Sequence, residues 1–176
     1  MTAATFTAPP LQYRLLARLL DYPDAELAAH LDEAEALLTD LPDSARRTIG
    51  DFIAWAKKQH LTDWQAQYVR TFDLTPDTSL HLTWHLFEEQ DRQRGITLAG
   101  LAEFYKKQGL EIDCGELPDF LPLILEYAST LPHGQGAMFL QQCRQALEVL
   151  AENLARAESP YAPLVQLLIH PEGGNP

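Results

Sequence analysis

The chain has 176 residues, 46% of them hydrophobic and 22% charged, which suits one globular domain of roughly 100–200 residues whose apolar core needs no metal or disulfide staple. Its 25 acidic residues outnumber 13 Lys and Arg, for a formal net charge of -12. Nucleic-acid phosphates and anionic lipid are therefore repelled, and a basic protein segment is the class of partner that charge favours. Cys114 and Cys143 are too few for a disulfide framework or a four-ligand zinc site. With no secretory signal pattern and no apolar run of about 18 residues, the expected location is the cytoplasm.

The periodicity predicts about eight helices in one all-α domain spanning 1–176, with flexible tails over about 1–9 and 170–176. Leu11, Leu15, Leu16, Leu19 and Leu20 form the first apolar stripe, between Pro9-Pro10 and Tyr22-Pro23, where the residue before proline resists the α conformation. Leu27, Leu31, Leu37 and Leu38 predict a second helix over 24–40. A third carries Ile49, Phe52, Ile53 and Ala56 and is expected to be capped by Asp43 or Ser44. Thr62 and Gln65 have capping-box spacing ahead of Trp64, Tyr68 and Phe72. After a loop over 74–79, Leu80, Leu82 and Leu86 lead a helix expected to stop at Gly95, and Thr97 is expected to cap the next, ended by Gly109. Asp119 is the expected cap of a helix bearing Leu121, Ile124, Leu125 and Ala128, with Pro122 tolerated in its first turn. Met138, Cys143, Ala146, Leu147, Leu150 and Leu154 predict the longest amphipathic helix, and Pro160 precedes a short one through about Ile169.

No phosphate loop, nucleophile elbow or dense Cys/His cluster is present. His81 and His85 lie one turn apart on the expected helix, with Glu88 and Glu89 a turn further on, so two imidazoles and a carboxylate could hold a metal. Leu82 stands where a zinc-protease helix has its general base, and no metal is expected. Trp64, Tyr68, Phe72 and Trp84 suit core, groove or both. The segment 88–94, dense in charge, reads as a solvated helix face or as a peptide-binding rim. In 116–122, two prolines bracket Asp119 and fix the chain's entry into a helix; the carboxylate there could receive an Arg or an amine from a partner.

Three ordered segments carry a resemblance. Residues 68–76 (YVRTFDLTP), 79–95 (SLHLTWHLFEEQDRQRG) and 117–122 (LPDFLP) resemble the NarJ family, the assembly chaperones of respiratory nitrate reductase, grouped with the TorD and DmsD proteins. The resemblance implies an all-helical fold and a non-catalytic role: binding the N-terminal segment of the apo catalytic subunit, keeping it competent for bis(molybdopterin guanine dinucleotide), and delaying membrane docking. It implies no retained cofactor, and the free chain is expected to be a monomer. In the wider group a Pro, Asp and His pattern in the corresponding loop is associated with leader binding. Here Pro118 and Asp119 match it, and Phe120 stands in place of the His. The expected peptide groove is Tyr68, Phe72, Trp84, His85, Pro118 and Asp119, rimmed by Glu88, Glu89 and Asp91. A metal-dependent enzyme using the His81/His85 face and a structural subunit of the mature complex are the alternatives.

Overall fold

The computed structural model describes residues 10–88, 90–112, 115–132 and 134–170. Ten α-helices follow in order: α1 (Pro10–Leu19), α2 (Ala25–Ala29), α3 (Leu31–Ala36), α4 (Asp43–Ala56), α5 (Leu61–Tyr68), α6 (Arg92–Lys107), α7 (Leu121–Thr130), α8 (Gln135–Gln141), α9 (Arg144–Arg156) and α10 (Ala162–Ile169). Among the described residues there is no β-strand, only a single antiparallel bridge between His81 and Phe120. The all-α expectation holds. None of the described helices is long and apolar enough to cross a membrane. The predicted tails at 1–9 and 171–176 lie outside the described residues.

The leucine stripe of α1 faces inward as predicted and lies along α7, the most extensive helix pairing, followed by α9 with α10. These four helices, with α4 and α5, enclose one apolar core that includes Leu16, Leu20, Ile49, Ile53, Leu125, Leu150 and Val165. An aromatic group fills its centre. Phe52, Trp64, Tyr68, Phe72 and Tyr161 stand with neighbouring rings 4.8–6.5 Å apart. Their polar tips are satisfied internally: Trp64 Nε1 donates to Tyr161 Oη (2.7 Å) and the Tyr68 hydroxyl to the Leu20 carbonyl (3.1 Å).

Several local expectations are corrected. The helix predicted over 24–40 breaks at His30 into α2, α3 and a 3-10 turn (Leu37–Asp40), which keeps Leu27, Leu31 and Leu38 buried and leaves Leu37 exposed. Pro42, not Asp43 or Ser44, precedes α4, and Asp43 instead pairs with Arg46. No side chain caps α5; Gln65 reaches across to the Pro23 carbonyl. Helix α5 passes into a π-turn (Val69–Asp73), followed by a 3-10 turn (Pro76–Thr78) in the predicted loop. The predicted α8–α9 continuum breaks near Cys143, and Met138 is exposed. Gly109 does end α6, with φ of 77°, a backbone that glycine adopts without cost.

Candidate peptide-binding site

The stretch 79–95 is where periodicity misleads most. Leu80 and Leu82 both point inward, a two-residue alternation that no α-helix allows. The chain is extended at His81 and then makes one 3-10 turn (Leu82–His85); α6 begins only at Arg92 and runs straight through Gly95 and Thr97. Its cap is Asp91, whose carboxylate accepts from the Gln93 amide (2.8 Å). With three residues per turn, His81 and His85 no longer share a face as they would on an α-helix.

Asp119 lies 36 residues away from the turn that it caps. Pro118 and Pro122 stiffen the entry to α7, and the first free amide of that helix, Leu121 N, donates to the Leu80 carbonyl (2.9 Å). The helix thus needs no cap from Asp119, contrary to expectation. In return Leu82 N donates to the Asp119 carbonyl (3.1 Å). The Asp119 side chain, 1% exposed, accepts from the Thr83 amide (3.0 Å), the Thr83 hydroxyl and His81 Nδ1 (3.3 Å). Burial by itself would raise the Asp119 pKa, but those bonds outweigh it and hold the carboxyl below the ordinary carboxylate range.

The network continues outward. Thr83 Oγ1 also accepts from Arg94 Nε (3.0 Å), and the Arg94 guanidinium carbon lies 4.1 Å from the centre of the Trp84 ring, within cation–π range. His81 packs on Phe120 with ring centres 5.3 Å apart, and its Nε2 faces Glu116 at 3.8 Å. His85 donates from Nε2 to the Ser79 carbonyl (2.7 Å); burial pushes its pKa down, which keeps the ring neutral. Tyr105 of α6 donates its hydroxyl to the Pro118 carbonyl (3.2 Å). One seam therefore joins the 79–87 segment, the 117–120 loop and α6.

The expected groove residues separate into three groups. Tyr68 and Phe72 are core residues, each 4% exposed, and offer no surface to a peptide: their fourfold spacing served packing. Trp84, His85, Pro118 and Asp119 do meet in the seam, but Pro118 and Asp119 are buried in it, and only Trp84 and His85 are partly open. Glu88 and Asp91 are exposed beside it as a rim, while Glu89 lies outside the described residues. Thr83, Arg94 and Tyr105 were missed, because bonds across 11 to 36 residues leave no local pattern in a sequence. The His81/His85 metal reading loses its geometric premise, since the two rings are turned to Asp119 and to the Ser79 carbonyl. A separate open cleft of about 580 Å³ lies between α1, α2 and α3, floored by Leu15 and Leu27 and edged by Asp21, Glu26 and Glu33.

The model of the nitrate reductase delta subunit family matches residues 20–166. The chain belongs to that family. NarJ of Escherichia coli K12, named a nitrate reductase molybdenum cofactor assembly chaperone, is 37% identical over 158 residues, covering 88% of this chain and 66% of its own length. The chain thus spans just under two thirds of that relative. NarJ of Bacillus subtilis is 30% identical over 160 residues, 90% of this chain and 86% of its own. A solved structure from Archaeoglobus fulgidus, described as a redox enzyme maturation protein, superposes with a TM-score of 0.65 at 20% identity and covers 96% of both chains; it shares the fold. The family resemblance carried by 68–76, 79–95 and 117–122 is borne out.

Proposed function

We propose that this chain is an assembly chaperone of a respiratory nitrate reductase: it binds the N-terminal segment of the apo catalytic subunit, holds that subunit competent for the molybdenum cofactor, bis(molybdopterin guanine dinucleotide), and delays its docking to the membrane. It acts as a cytoplasmic monomer and keeps no cofactor itself. The observation that carries this reading is its 37% identity to an assembly chaperone over most of the chain. The chemistry agrees in kind. An acidic body with a partly open indole at a seam and carboxylates beside it can take an amphipathic helix by its apolar face and steer its basic residues. The docking position supported best is the Trp84 face, with His85 at its edge and Glu88 and Asp91 as its rim; Asp119 acts from beneath as a positioning residue.

The test is affinity capture on the tagged chain from cells that make molybdenum cofactor and from cells that do not. Enrichment of the catalytic subunit in the cofactor-deficient cells is the expected result. Equal recovery of the cofactor-loaded enzyme would instead mark the chain as a structural subunit, and recovery of no reductase subunit would overturn the proposal.

A further inference from the structure

Helix α6 is an unusual part of this fold. Only Tyr105 among its sixteen residues is buried, and none of them joins the main core. One stripe seats its first half, Arg94, Leu98 and Leu101 leading at helical spacings of four, three and four to Tyr105, and Ile96 stays exposed. At its far end Phe104 and Tyr105 pack on Tyr127 of α7, and Phe104 also stacks on Phe139 of α8. Arg94 stacks on Trp84 and bonds Thr83, and Tyr105 bonds Pro118. On a chain of net charge -12, this helix carries Arg92, Arg94, Lys106 and Lys107 against Glu103 alone. It is a basic amphipathic helix resting on an acidic body. It is also weak as a helix: Gly95 and Gly100 lie within it, a Cβ at either would meet nothing within 4 Å, so neither is required by packing, and each costs helix stability.

We infer that α6 is an internal stand-in for the partner: it occupies the Trp84 face in the free chain, and a partner helix docks by displacing it. This rests on the docking position given under the proposed function and deepens it in two ways. It names the chemistry of the ligand, a helix with a cation followed at helical spacing by two aliphatic residues and an aromatic one. It also supplies regulation, because a weakly formed competitor lowers the apparent affinity by the fraction of time for which it is seated. A segment lacking either the cation or the apolar stripe would fail to unseat it.

Two changes in the full chain push α6 in opposite directions. Arg94→Ala removes its anchor on Trp84 and Thr83. Gly95→Ala with Gly100→Ala strengthens the helix without touching any neighbour. The probe is a synthetic peptide of the reductase catalytic subunit's N-terminal segment, read by calorimetry and by amide hydrogen exchange. We expect Arg94→Ala to tighten binding about threefold to tenfold and the double glycine variant to weaken it about fivefold. Bound peptide should speed exchange across 92–107 in the unmodified chain and leave α9 unchanged. The inference is overturned if bound peptide leaves exchange over 92–107 unchanged or slower, or if the two variants fail to move affinity in opposite directions. Absence of peptide binding by every form would overturn the docking position and this inference together.

Discussion

Helices α1 and α6 make opposite use of their residues. The shorter, of ten residues, buries six; the longer, of sixteen, buries one. Helix α1 lies against α7 with leucines and a tyrosine on its buried face. Helix α6 touches the body through one guanidinium and two half-buried leucines along its first half, and through Phe104 and Tyr105 against Tyr127 and Phe139 at its far end. Stability in this molecule is concentrated where side chains interlock, and the partly open aromatic and charged groups collect where they do not. On the proposed function, a client that must later be released would dock on the second kind of surface, where exchange between partners costs little.

The contrast can be broken from either side. The largest effect is expected in the core: Trp64→Ala empties the aromatic centre and leaves the Tyr161 hydroxyl without its donor, for a loss of about 3–5 kcal/mol in urea unfolding. Gly136→Ala comes next, because a Cβ there would lie 2.6 Å from the Ala128 carbonyl oxygen where α8 meets α7; about 1–3 kcal/mol is expected from the forced shift. At the seam, Asp119→Asn should cost about 1–2 kcal/mol at neutral pH and speed exchange of the Thr83 amide while core amides keep their protection.

Titration sharpens the same contrast. The Asp119 carboxyl is held below its ordinary range when folded, so its contribution is present above about pH 4, the unfolded value, and is lost as pH falls further through the folded value. Asp119→Asn should remove that acid-side slope. His85 is depressed by burial, so the unfolded chain takes up its proton first and stability falls as pH drops below about 6.5. His85→Gln should flatten the unfolding midpoint between neutral and mildly acid pH, and an unchanged slope would place the titrating group elsewhere. The smallest effect belongs to the rim: Glu88→Lys should leave stability within about 0.5 kcal/mol and slow peptide association chiefly at low salt, as measured by stopped flow.

How far the sequence is legible follows the same division. Wherever a helix buries one continuous face, as in α1, α4 and α9, the spacing of apolar residues placed that face. The breaks at His30 and Cys143 were invisible because apolar residues stay in phase across them. Asp119 was recognised as a residue with a task, but as a cap for the helix that follows it; its real partner is a turn 36 residues earlier, and nothing local distinguishes the two. Tyr68 and Phe72 lie in a segment that carries the family resemblance, yet their role is to fill the core. Arg94 looked like one more charge in a polar run. Its distinction is the indole below it, which only the folded chain reveals.

On the proposed function the client docks on the Trp84 face. A photo-crosslinking analogue of the reductase N-terminal peptide, with the bonded residues mapped by mass spectrometry on the intact chain, tests it most directly. Crosslinks confined to 79–87 and 117–120 are the predicted result. Crosslinks clustered instead around Leu27 and Glu33, in the cleft between α1, α2 and α3, would contradict it.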